Sequence, residues 1–211
     1  IVALEGGRFD MRPYLTRLFG EEGTLAIPPL VLSMRVGEVI LGDRHSLADA
    51  NGRAVYSGES WQEIEASGVL SGEAPIQISL RTEPGKRNLG VSSSDAGAFV
   101  RSLGVFDNAI GGKLGLTATI DESLPSRPLT GQVEIDEFKV VNAPVLARIL
   151  TIGSLTGMVD LLNGEGISFV RFQAPFAIQD GRLEIDRARA FGPALGITLE
   201  GELDQERGQV D

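Results

Sequence analysis

The chain has no cysteine and a single histidine, His45. Without thiols there is no disulfide and no sulfur ligand, and one imidazole leaves a nitrogen-based metal site short of partners. His45 therefore reads as a surface or capping residue. Aromatic residues are sparse at 6%, with one tryptophan, Trp61, so an extended sugar-stacking platform is not expected. Positive charge is also short: 19 Lys and Arg stand against 29 Asp and Glu, a formal net charge of −10. Binding to nucleic acid draws on clustered cations, so that partner is excluded. There is no polybasic patch for acidic lipid headgroups either. The uncharged run Gly23–Met34 is too short for a spanning helix and carries Pro28 and Pro29.

Signatures of catalysis are missing as well. No Gly-x-Ser-x-Gly elbow and no dinucleotide fingerprint occurs, and Gly111-Gly112-Lys113 lacks the spacing and the hydroxyl of a phosphate-binding loop. Glu63 with Glu65, and Glu134 with Asp136, have the residue types of glycosidase carboxylates. Each pair is two residues apart on the polar side of an expected strand, and a solvated face explains it more simply. Asp49-Ala50-Asn51-Gly52 begins like a calcium loop but lacks the closing glutamate, and Asn51-Gly52 is expected to form a tight hairpin turn. No enzyme activity, cofactor or metal is expected.

What the chain does have is alternation. Its 211 residues are 42% hydrophobic, enough for a sizeable core, and they include 27 glycines. Leu114, Leu116, Ala118 and Ile120 alternate with Gly115, Thr117, Thr119 and Asp121. Ile76-Ile78-Leu80, Val133-Ile135, Leu183-Ile185 and Leu195-Ile197-Leu199 repeat the pattern. Period two places these sets on opposite faces of a strand, one apolar and one wet, as antiparallel sheets have them. Asp180-Gly181 is a second expected hairpin turn.

Helices are few. Asp10 is placed to cap one through Leu18, and Ser94 or Asp95 another through Leu103, ended by Gly104. Asn142 is expected to cap a segment with Pro144 in its first turn, and Ser154 a second ending at Asn163-Gly164. This pair, over 142–163, is apolar almost all round, as in helices that are buried. The chain starts at Ile1 inside an apolar run and finishes on the alternating Gln209-Val210-Asp211, so a piece of a longer protein is expected. On this pattern alone, the apolar face has two outlets: the core of a closed sandwich, or an open groove for acyl chains.

A set of short words runs through the second half: Ser92-Ser93-Ser94-Asp95-Ala96-Gly97, Gly111-Gly112-Lys113-Leu114, Leu129-Thr130-Gly131, Asn142-Ala143-Pro144-Val145-Leu146-Ala147-Arg148, Ser154-Leu155-Thr156-Gly157, Gly164-Glu165-Gly166-Ile167-Ser168-Phe169 and Ala190-Phe191-Gly192-Pro193. In order and spacing, this stretch from about Leu89 onward resembles the C-terminal region of the bacterial AsmA-like proteins, the group that includes YhdP and TamB relatives. Residues 1–88 share only the strand-rich style and Gly58-x-x-Trp61.

The resemblance implies a mainly β fold: a twisted antiparallel sheet curled into an elongated groove, with a few short covering helices near 95–103 and 142–163. Residues 1–88 and 89–211 would form one continuous β unit. It also implies a periplasmic protein of Gram-negative bacteria, anchored in the inner membrane by a segment outside this chain. Such a protein carries phospholipid between inner and outer membranes and maintains the outer membrane, with phospholipid acyl chains, both membranes and envelope proteins as partners. The groove lining is expected at Leu114, Leu116, Ile120, Val133, Ile135, Phe172, Phe176, Ile178, Leu183, Ile185, Leu195, Ile197 and Leu199. Leu146, Ile149, Leu150, Met158 and Leu162 are the expected helical plug. The contrasting expectation is a closed β-sandwich that scaffolds outer-membrane protein assembly and binds proteins rather than lipid.

Overall fold

The computed structural model describes residues 1–13, 28–42, 45–71, 73–124, 126–152, 164–179, 182–204 and 209–210. Strands dominate: β1 (Val2–Asp10), β2 (Leu30–Ile40), β3 (Ser46–Tyr56), β4 (Trp61–Leu70), β5 (Ala74–Glu83), β6 (Lys86–Ser93), β7 (Ala109–Asp121), β8 (Leu129–Val140), β9 (Ile167–Gln179), β10 (Arg182–Phe191), β11 (Gly196–Asp204) and β12 (Gln209–Val210). Among the described residues two short helices are complete enough to name, α1 (Ala96–Ser102) and α2 (Pro144–Ile152). All twelve strands lie in one sheet, in sequence order from β1 to β12, and the two outer strands do not pair with each other. The mainly β expectation is borne out, with one refinement: β1 runs parallel to β2, while every later pair is antiparallel. The sandwich expectation differs from this arrangement, since among the described residues there is one sheet and not two.

Antiparallel order sorts the connections into two ends. The β2–β3, β4–β5, β6–β7, β8–β9 and β10–β11 links share one end, and both helices are there. At the opposite end the links run from two residues between β5 and β6, where Gly85 takes φ 75°, to seven between β7 and β8.

Asn51-Gly52 is not a turn. It lies inside β3, where Gly52 pairs with Met34 on one side and Ala66 on the other. The turn comes later: Ser57 donates its backbone N–H to the Ser60 carbonyl at 3.0 Å, and the Ser57 hydroxyl accepts from Ser60 N at 3.1 Å. Position 52 is small for a packing reason, because a Cβ there would sit 3.1 Å from the Glu65 carbonyl oxygen. Asp180-Gly181 lies outside the described residues, although β9 and β10 pair up to Gln179 opposite Arg182.

The helix at 95–103 forms as its caps dictate. Asp95 Oδ1 accepts from Ala98 N at 2.9 Å, and Gly104 follows the helix at φ 67°. Gly97 lets α1 touch β7, since a Cβ there would lie 2.6 Å from the Ala109 carbonyl oxygen. In α2 the cap differs from expectation. The Ala147 N–H donates to the Ala143 carbonyl at 2.9 Å, so Ala143 opens the helix. Asn142 sits one residue earlier at φ 47°, its carbonyl accepting the Asn108 side-chain amide at 2.7 Å. Asp10 accepts from Arg12 N at 3.0 Å, and Arg12 and Pro13 are helical; the rest of the helix expected through Leu18 and the second helix of the 142–163 pair lie outside the described residues.

Both buried clusters gather on one face at the helical end. One joins Val36, Val39, Leu47, Ala50, Leu70, Ala74 and Ile76 to Ala98, with Phe99 of α1 packed on it. The other joins Val140, Ala143, Ile167 and Phe169 to Leu150, with Leu146 packed on it. The strands crease here. Asp49, Glu137 and Arg187 take left-handed φ values of 49°, 57° and 45°. Regular pairing shifts at Ala48/Asn51 and Ile185/Ala188. Such irregularities bend a strand and add twist. They also let apolar residues three apart share a face, as Val36 and Val39 do, and Leu47 and Ala50.

Candidate functional site

The registers assemble the expected lining row by row. Leu114 lies opposite Ile135, Ile135 opposite Phe172, and Phe172 opposite Ala190. Leu116, Val133 and Ala174 form the next row. Toward the turns, Ile120, Leu129, Ile178 and Leu183 line up, with Phe176 opposite Ile185. Residues directly opposite share a face, so these expected strand positions stand together on the apolar side. Ile197 lies opposite Ala190 and Leu199 opposite Ala188, while Leu195 precedes β11 and packs on the second cluster.

Burial grades along this face. Leu114 is buried, whereas Leu116, Ile120, Val133, Ile135, Phe172, Phe176, Ile178, Leu183, Ile185, Leu195 and Ile197 are partly exposed, and Leu199 keeps 55% of its surface. Of the expected plug, Leu146 and Leu150 cover the helical end. The Ile149 side chain, Met158 and Leu162 lie outside what the structure describes. An open apolar cavity of about 720 Å³ sits at that end, lined by Val100, Val105, Phe106, Phe138, Phe172 and Leu199 among others.

The apolar face is wider than the sequence pattern indicates. Val36, Val39, Leu47, Ala50, Phe138, Ile167 and Phe169 belong to it, and Phe138 stacks on Phe169 with ring centroids 5.1 Å apart. Several of these stand three residues from their nearest neighbour on the face, which breaks strict alternation. A pair of polar residues between two apolar ones, such as Asp136-Glu137 between Ile135 and Phe138, is the one signal available.

The opposite face is wet and ion-paired. Arg53 meets Glu63 at 3.1 Å, Arg81 meets Glu65 at 3.2 Å and Arg171 meets Asp136 at 2.6 Å. The hydrogen bond to Asp136 raises the Arg171 pKa further above its already high value. Glu134 accepts from Gln132 at 2.7 Å and from Gln173 at 2.9 Å. These carboxylates are thus engaged by cross-strand neighbours. Trp61 packs against Tyr56 with ring centroids 5.2 Å apart. His45 belongs to the β2–β3 turn, its carbonyl accepting from Leu41 and Gly42.

Comparison with known protein families, with curated proteins and with solved structures finds no match. What can be said of chemistry therefore comes from the faces themselves. The apolar side offers area for methylene chains with few polar groups to fix an orientation. The exception is an ion pair, Arg87 with Glu122 at 2.5 Å, near the turns of β5, β6 and β7. Arg87 lies opposite Ile120 and Thr82, on the apolar side of the sheet.

Proposed function

We propose that the apolar face is a path for acyl chains, and that this chain is a segment of a groove protein carrying phospholipid between the inner and outer membranes of a Gram-negative envelope. One observation supports the reading above others: among the described residues there is a single open sheet whose apolar face stays partly exposed away from the two described helices. A face of that kind in water is costly unless something apolar lies along it. An acyl chain gains about 0.8 kcal/mol for each methylene it buries. A lining of aliphatic side chains provides area without register, which suits cargo that slides. The headgroup would stay wet at the open side of the groove. On this reading no chemical step is catalysed, and periplasmic placement with an inner-membrane anchor is part of the proposal, as it is for the AsmA-like proteins the sequence resembles.

The test is lipid capture by the purified chain, with organic extraction and mass spectrometry. Benzophenone photo-crosslinkers replace Leu116 in the middle of the face and Ile197 near the helical end. Lipid in the extract and lipid adducts at both positions are expected. A folded sample that yields no lipid and no adduct at either position rejects the proposal.

A further inference from the structure

Phenylalanine is thinly spread in this chain, at nine of 211 residues, yet four meet in one place. Phe106, Phe138, Phe169 and Phe172 line the apolar cavity of about 720 Å³ at the helical end. Phe138 and Phe169 lie opposite each other on β8 and β9, stacked at an interplanar angle of 12° and packed with Leu146 and Leu150 of α2. Phe106 comes from the loop after α1, which Gly104 turns at φ 67°. Each helix supplies a wall, α1 through Val100 and α2 through Leu146. A phenylalanine ring brings a large apolar surface, about 150–250 Å². Rings packed under a helix keep their places, so this lining has a set shape. The rows that run away from it, such as Leu116, Val133 and Ala174, are aliphatic.

Three large apolar side chains of the lining remain in water: Val105 is 72% exposed, Leu199 55% and Phe106 38%. They come from two sides, the loop before β7 and strand β11. Apolar groups gathered at one opening are unfavourable in water and mark a place where an apolar guest enters. Among the described residues the polar side chains of the lining are Asp107 and Asn108, and the Asn108 amide already donates to the Asn142 carbonyl. A peptide guest would leave its own polar groups short of partners here, whereas a methylene chain has none to satisfy. The floor also continues the acyl path, since Ile135, Phe172 and Ile197 belong to both. Resting on the acyl-chain reading above, we infer that this cavity is a holding site for a single acyl chain. Pockets of about 300–1,000 Å³ bury most of one small ligand, so one chain is held at a time. Lipid slides over the aliphatic rows and is retained where the rings set the shape.

The experiment loads the full chain with radiolabelled dioleoyl phosphatidylethanolamine and times its release to excess vesicles of the unlabelled lipid. Leu199→Asp puts a charge at the mouth, at a position exposed enough to leave the fold intact, which the urea midpoint checks. It is expected to speed release about tenfold, the equivalent of two methylenes returned to water. Val105→Asp, on the other side of the mouth and more exposed still, is expected to do the same, and it decides the matter if the first variant loses stability. Ile120→Asp, on the apolar face away from the cavity, is expected to speed release clearly less. A benzophenone in place of Leu116 is expected to collect lipid adducts in the Leu199→Asp chain as in wild type. Release unchanged by both mouth variants overturns the holding site and leaves the groove standing, as does an equal acceleration by Ile120→Asp, the mark of retention spread over the whole face. Wild type that self-associates in sedimentation while Leu199→Asp stays single assigns the cavity to a second copy and overturns the holding site too. Wild type that takes up no lipid overturns the groove and the holding site together.

Discussion

The two ends of the sheet handle the same apolar face differently. At the helical end, α1 and α2 fold back on it, and Val39, Ile167 and Phe169 are almost fully removed from water. At the turn end no described helix lies over it, and Leu89, Ile120, Leu129, Ile178 and Leu183 remain partly exposed. The residue types are alike, so composition does not separate the ends. Two connections do: the links before β7 and β9 are long enough to hold a helix, whereas the two-residue link between β5 and β6 has nothing to lay over a sheet. The comparison assigns stability mainly to one end and leaves the face at the other free to carry something that slides.

The largest effect that sharpens this contrast is expected from Phe169→Ala. Phe169 is 3% exposed and stacked on Phe138, and its loss leaves a cavity beneath α2. It should destabilise the fold by about 3–5 kcal/mol, measured by urea unfolding. Leu116→Ala, on the partly exposed stretch, should cost clearly less while reducing lipid capture. Equal costs for the two would break the division between a stabilising end and a carrying end. Next comes Asp95→Ala, which removes the acceptor for Ala98 N and should cost about 1 kcal/mol, with faster amide exchange confined to α1 and its contact with β7. The smallest effect concerns pH at the turn end. The Ser123 hydroxyl, then the Ser123 backbone N–H, hold the Asp121 carboxyl below the usual carboxylate range. A depressed carboxylate adds stability above its unfolded pKa and loses it as pH falls through the lower folded value. Ser123→Ala should therefore be slightly less stable than wild type near neutral pH, and the difference should vanish in strong acid, as an acid-unfolding series would record.

Much of this contrast is legible in the sequence because a strand with one wet face writes it as alternation. Leu114 to Ile120 and Val133 to Ile135 read directly, and Asp95 with Gly104 marks α1 at both ends. The creases are not legible. Asp49, Glu137 and Arg187 have ordinary side chains, and nothing local announces their left-handed backbone. Only the bend they produce makes Leu47 and Ala50 neighbours on a face, and the same bend places Asn51-Gly52, a pair common in turns, in mid-strand. The parallel pairing of β1 with β2 depends on contacts between segments some 30 residues apart, such as Val2 with Leu32, which alternation does not encode. Arg87 was legible only as a charged residue, because its place on the apolar side follows from its register with Ile120.

Strand order has a consequence for how the chain acquires its shape. From β2 onward each strand pairs with its immediate neighbours in sequence. Nearly every pairing can then form as soon as the next hairpin has been synthesised, without waiting for a distant partner. Topologies of this kind have short average contact separations and correspondingly modest loop-closure costs. A sheet built this way can grow or shrink by whole hairpins, and its length can change without rewiring the strands already in place.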